Sequence, residues 1–160
     1  MSQIDPQNID FHEIARRGDT EVMEVCLEAG LDPEIQDPRG FSLLTIAAYN
    51  DQPSMVELLM DRGADPNAVD GSGNTPLMGT AFKGHLPAAR SLLAGGADPD
   101  FANPSGSTAL HFSVMFGHLE MVDLLLEHGA DPGPADEEGR TPLDLACAKG
   151  LDQIAERLST

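Results

Sequence analysis

Apolar residues in this chain fall into two kinds of short run that alternate from end to end. Runs such as FSLLTIAAYN, STALHFSVMFG and TPLDLACAKG each have room for two helical turns. After a break of a few polar or glycine residues each is followed by a second run, MVELLMDRG, MVDLLLEHG or IAERL. Both kinds place leucines and other apolar residues at helical spacing, with charged residues between them, and so predict paired amphipathic helices. The pair recurs as a unit. Gly40, Gly73, Gly106 and Gly139 lie 33 residues apart, and each is followed in register by Ser42, Thr75, Thr108 or Thr141 and then by Leu44, Leu77, Leu110 or Leu143. Asp-Pro doublets at 32–33, 65–66, 98–99 and 131–132 keep the same beat. A fixed period of this length marks a stacked array, because one helix pair cannot bury its apolar face without neighbours.

Residues 70–102 show how each unit is written. DGSGN has the chemistry of a tight turn, with Gly73 free to adopt a positive φ. Thr75 suits an N-cap and Pro76 the first helical position, where a missing N–H is harmless. A short helix to Gly84 is followed by a second from about Leu86, which carries Leu92 and Leu93 inward. Gly95 and Gly96 end it before the chain returns through Asp98-Pro99.

The run G-x-T-P-L-x-x-A-x-x-x-G-H with a following L-L-x-x-G-A-D resembles the ankyrin repeat, and the likeness extends over about residues 11–158. It implies an all-α solenoid of helix-turn-helix units with protruding finger turns. The whole chain, 1–160, then reads as one domain: an N-terminal capping repeat over 1–36, full repeats over 37–69, 70–102 and 103–135, and a C-terminal capping repeat over 136–160. The last ends in the polar Glu156, Arg157, Ser159 and Thr160, which suits a solvent-facing cap. Two departures stand out. Asp51-Gln52-Pro53 replaces Gly-His-Leu, so the inter-helix turn there is expected to differ from its neighbours, with local disorder. Gly79 occupies a column held elsewhere by Ile46, Phe112 and Leu145, and the large Phe112 one repeat along is expected to fill the gap, so that Gly79→Leu would overpack the spot.

Composition narrows the functional classes. Twenty-seven acidic residues against nine basic ones give a net charge of −18, which disfavours nucleic acid. No apolar run is long enough to cross a bilayer, and the opening MSQIDPQNIDFHEIARRG lacks the apolar core of a secretory signal. The expectation is a soluble, cytoplasmic protein without membrane association, and charge together with the polar cap argues for a monomer. Cys26 and Cys147 both lie in apolar helical stretches and are expected to be buried, reduced thiols.

Candidate chemistry is sparse. His85 and His118 fall in the Gly-His column. His12 and His111 share a column in which ankyrin repeats often carry a histidine that hydrogen-bonds between repeats. His128 is expected on the surface near a helix C-terminus. There is no Cys-x-x-Cys, His-x-x-x-His or Asp-rich calcium loop, and no nucleophile or phosphate-loop motif, so neither metal, cofactor nor catalysis is expected.

In ankyrin arrays the finger tips and the exposed side of the first helices line a concave groove that holds partners. Carried onto this chain, the resemblance points to Arg39, Phe41, Tyr49, Asn50, Ser72, Asn74, Phe82, Lys83, Ser105, Met115, Phe116, Arg140 and Lys149 as partner-binding residues, with Val69 at a finger and Arg16 and Arg17 at the N-terminal edge. Four of the seven aromatic residues belong to this groove, and Tyr49, Phe82 and Met115 occupy equivalent positions that are expected to form a ladder. Six of the nine basic residues also fall there, against the acidic Glu137 and Glu138. The competing reading is packing, in which the aromatics lean onto the next repeat and the cations relieve self-repulsion. Exposed aromatic and arginine side chains are, however, the types enriched in binding hot spots. The expected function is a non-enzymatic protein-interaction module that engages an apolar or acidic partner segment. The alternatives are a bacterial accessory protein for catalase or haem handling, and a host-directed ankyrin effector.

Overall fold

The computed structural model describes residues 8–160; the first seven residues of the N-terminal capping repeat lie outside it. Ten helices form five consecutive pairs: α1 Phe11–Arg17 and α2 Thr20–Glu28, α3 Leu43–Tyr49 and α4 Pro53–Asp61, α5 Pro76–Lys83 and α6 Leu86–Ala94, α7 Ala109–Met115 and α8 Leu119–Glu127, α9 Pro142–Ala148 and α10 Asp152–Leu158. First helices pack on first helices, in the order α1, α3, α5, α7, α9, and second helices on second helices, so that two helical layers run the length of the array. Leu44, Leu77 and Leu110 of the first layer and Leu59, Leu92 and Leu125 of the second are buried between them.

The helix starts follow the sequence signals. Ser42, Thr75 and Thr141 each accept the backbone N–H three residues on, at 3.1, 3.3 and 3.2 Å. At α9 the arrangement is reciprocal, for Asp144 accepts the Thr141 amide at 2.9 Å and closes a capping box. His111 does the same at α7, where its Nδ1 accepts the Thr108 amide at 3.1 Å.

The turn at Asp51 corrects the expectation of a distinct, disordered connection. Its backbone has the same left-handed geometry as the others: φ is 52° at Asp51, against 72° at Gly18, 76° at Gly84, 70° at Gly117 and 68° at Gly150. Gln52 also takes over the hydrogen bonding of the histidine in its column. Its Nε2 donates to the Arg16 carbonyl at 3.1 Å, as His118 Nε2 does to the Phe82 carbonyl at 3.1 Å. An L-residue in this region is strained, and aspartate is among the few that visit it. The side chain also caps a helix of the next repeat. Asp51 Oδ1 accepts the Ala88 amide at 3.1 Å, in the first turn of α6, whose own N-cap His85 makes no capping bond.

Of the two thiols, Cys26 is half-buried and Cys147 exposed, which corrects the expectation of burial. Cys147 stands in the column of Ala15, Ala48, Ala81 and Val114, all fully buried in first helices that have a further first helix packed against them. Among the described residues no helix pair follows α9 and α10, and the column is open to solvent there.

We expect Asp51→Ala to destabilise the protein by about 1–2 kcal/mol, through loss of the cap on α6 combined with a strained alanine. Asp51→Gly should cost less, because glycine removes the strain. Urea unfolding followed by circular dichroism measures both; a glycine variant as unstable as the alanine one would show that strain plays no part.

A groove of finger turns and first helices as the candidate binding site

Each finger is a self-contained hydrogen-bonded loop. Its first residue is Asp37, Asp70, Asn103 or Asp136, whose side-chain oxygen accepts the amides two and four residues on at 2.8–3.1 Å. The backbone N–H of the same residue donates to the carbonyl four residues on, at 2.9, 3.0, 3.0 and 2.9 Å. Neighbouring fingers are tied together. Asn103 Nδ2 donates to Asn74 Oδ1 at 2.8 Å, and the Glu137 amide donates to the Ser105 carbonyl at 2.9 Å. The first two fingers meet backbone to backbone: a Cβ on Gly71 would stand 2.8 Å from the Arg39 carbonyl oxygen, and one on Gly40 2.9 Å from the Gly71 nitrogen.

Along the first helices the aromatics form a ladder open to solvent. The Tyr49 and Phe82 rings stack with centroids 6.1 Å apart and planes 16° from parallel. Phe82 meets Phe116 edge-on at 4.4 Å. Their exposures, 40% for Tyr49, 37% for Phe82 and 44% for Phe116, decide against packing alone as their role. Met115 holds the expected column but is half-buried, and the third rung comes from its neighbour Phe116. Cations lie over two rings: Lys83 Nζ is 5.0 Å from the Tyr49 centroid and the Arg39 guanidinium 4.8 Å from that of Phe41.

Between the first two fingers and helices α3 and α5 the groove deepens into a concavity of about 560 Å³. Arg39, Phe41, Tyr49, Asn50, Ser72, Asn74 and Phe82 of the sequence-derived set converge on it, as does Arg16. Lys83 reaches its edge over Tyr49. Ser105, Met115, Phe116, Arg140 and Lys149 lie further along the array and do not line it. The lining residues that sequence reasoning misses are Thr45, Ile46, Asp70, Thr75, Met78, Gly79 and Phe112. Gly79 is the signal that could have found them. The expectation that Phe112 fills its place does not hold, because Phe112 lines the cavity while the nearest atom to a Cβ on Gly79 is Tyr49 Cδ2, at 3.3 Å.

Charge is less free than residue counts imply. Arg16 pairs with Glu13, and Arg140 with Asp136 at 3.0 Å and Glu138 at 3.1 Å. Arg39 and Lys83 make no ion pair within 4 Å among the described residues. Three aspartates titrate below the ordinary value of 3.8. At Asp37 partial desolvation pushes upward, but the amides of Phe41 and Arg39 with the nearby charges of His12 and Arg39 outweigh it. At Asp136 the Arg140 amide, with help from the Arg140 side chain, outweighs desolvation. Asp144 is lowered by the Thr141 amide and then its hydroxyl. Among the histidines, His111 Nε2 donates to the Arg140 carbonyl at 3.0 Å and His118 to Phe82, both across repeats. The exposed His128 donates to Leu124 at the end of α8, at 2.9 Å. His12 departs from its expected role, for its buried Nε2 has no partner among the described residues. No cluster of three or more His, Cys, Asp or Glu able to hold a metal occurs among those residues, and no described helix is long and apolar enough to cross a membrane.

A two-layer array of helix pairs with finger turns and an exposed groove defines a repeat-protein scaffold. The family model for ankyrin repeats in three copies matches residues 11–103 and again 77–160, and the chain belongs to the ankyrin repeat family. Arrays of this family generally act in protein–protein interaction and are typically not enzymes. No curated protein sequence matches the chain.

Gly79→Ala tests the geometry of the concavity. Alanine is the better helix former by about 1 kcal/mol, and the exposed Tyr49 ring is free to give way, so we expect a higher melting temperature. A lower one would show the ring to be fixed. The finger carboxylates give a pH signature. Because Asp136 is lowered on folding, its contribution is present above the ordinary value of 3.8 and is lost as pH falls through the folded value. Asp136→Asn keeps the turn acceptor, as Asn103 does naturally, and removes the charge. We expect the variant to be less stable at pH 7 and the gap to the wild type to close between about pH 5 and pH 2 in denaturant titrations. A constant gap would rule out a role for the ionised carboxylate.

Proposed function

We propose that this protein is a non-enzymatic interaction module that holds a partner protein against the groove of first helices and fingers, and that the partner contributes an apolar segment bearing acidic residues. The observation that carries the reading is the solvent-open ladder Tyr49, Phe82, Phe116, with Arg39 and Lys83, cations without an ion pair among the described residues, set against aromatic faces. Aromatic side chains kept at the surface at this density carry a cost in water that a partner relieves. Their mutual stacking presents the rings already arranged for contact. The partner-binding set remains the thirteen residues named from the sequence, with emphasis on those that surround the concavity.

The test is capture of a partner by the full chain and by variants of the groove. The double variant Tyr49→Ala, Phe82→Ala should lose the partner while its circular dichroism spectrum is unchanged. Val25→Ala, an exposed change on α2 in the second-helix layer, should retain it. Capture undiminished in the double variant would move the site to another face.

A further inference from the structure

We propose that the concavity opened by Gly79 is an anchor pocket for one bulky apolar side chain of an extended acidic peptide, with a carboxylate of that peptide seated on Arg39. The inference rests on the groove reading above and adds to it the chemistry of the occupant.

The column to which Gly79 belongs is filled by Ile46, Phe112 and Leu145 in other repeats. At Gly79 the side chain is absent, and what would have been an apolar ridge becomes a hollow walled by Ile46, Met78, Tyr49, Phe82 and Phe112. Most of the polar groups around it are already engaged within the protein, the Ser72 hydroxyl and the Asn74 side-chain NH2 having no partner among the described residues. Asn50 Nδ2 donates to the Ile46 carbonyl at 2.7 Å, and Asn74 Oδ1 accepts from Asn103. Asp70 accepts the Ser72 and Asn74 amides, and Thr75 accepts the Met78 amide. Thr45 shares a hydrogen bond with Ser42 at 3.1 Å, and Arg16 is held by Glu13. A polar occupant would find few partners to replace those that it gives up to water, whereas an apolar one gives up none. The lining cation without an ion pair among the described residues is Arg39, whose guanidinium stands over Phe41 at one side of the hollow, with Lys83 over Tyr49 near by; the Asp70 carboxylate, held by two finger amides, is the lining group of opposite charge. Apolar floor and cationic rim together select an apolar residue with an acidic neighbour. The hollow opens into the groove that continues past Phe82 to Phe116, so an extended chain can enter and leave it, and its 560 Å³ has room for a side chain together with adjoining backbone.

The probe is a phage-displayed library of random 12-residue peptides selected on the immobilised full chain, with affinities of selected peptides then measured by fluorescence anisotropy. We expect selected sequences to share a Leu, Ile, Met or Phe with Asp or Glu within about three residues. Gly79→Leu, which fills the hollow, should weaken them about tenfold or more, and Gly79→Ala by less, a graded series that remains readable if the leucine variant folds poorly. Arg39→Ala should weaken an acidic peptide but not its Asn or Gln counterpart, which isolates the pair in a double-mutant cycle. Peptides lost in Tyr49→Ala yet unaffected by either Gly79 substitution would overturn the anchor pocket and leave the groove reading standing. Peptides indifferent to Tyr49→Ala, Phe82→Ala and Gly79→Leu alike would overturn both. A library that yields no binder above the uncoated support would also overturn the anchor pocket.

Discussion

Everything else in the structure depends on how closely one helix pair can approach the next. One column of the first helices is held by Ala15, Ala48, Ala81 and Val114, small side chains that are completely buried where first helix packs on first helix. Close approach brings the outward-facing residues of successive repeats into contact as well, so that residues 33 positions apart become neighbours in space. Tyr49 and Phe82 stack because Ala48 and Ala81, one residue earlier, allow their helices to close up. A larger side chain in that column would separate the rungs and open the layer beneath. Local packing and the functional surface are thus two faces of one spacing.

The fingers are held by other means. They have little apolar area to bury and keep their shape by satisfying backbone groups with the side chain of one Asp or Asn and with one another. This leaves the tip residues free to vary, which is why one column can hold Arg39, Ser72, Ser105 and Glu138 while the loop beneath stays the same. A second ladder runs through the loops after the second helices, where Asn67 and Asp100 accept the amides of Asp98 and Asp131 in the next repeat at 2.8 and 2.7 Å. The polar ends of the repeats are therefore in register for the same reason as the apolar middles.

Much of this is legible in the residues. Thr75, Pro76 and Gly84 bound α5 where capping chemistry says they should, and the 33-residue period dictates which helices touch. What escapes is whatever depends on reach rather than on position. Column arithmetic puts Met115 on the ladder, but the ring of Phe116 is the one that meets Phe82. It counts Arg16 and Arg140 as groove cations, although both fold back onto carboxylates three to four residues away. It reads Asp51 as a break, because a glycine signature is missing, when aspartate can adopt the same backbone and its carboxylate reaches the next repeat. Apolar neighbours in sequence assign Cys147 to the core, yet burial in this column depends on a following helix. Gly79 stands out as a gap, but the direction in which the gap opens is set by the Tyr49 side chain across it.

The contact between the first two fingers has a mechanical consequence. Where Gly40 and Gly71 meet there are no side chains to swing aside, and each loop is locked by its own aspartate. Widening the space between these two fingers would mean prying two repeats apart and exposing the buried Leu44 and Leu77 behind them, whereas the hollow beside them is walled by side chains such as Tyr49 and Phe82 that can turn. The backbone spacing at this end of the groove is therefore fixed, and breadth of recognition there has to come from the side chains that line the hollow rather than from the loops that frame it.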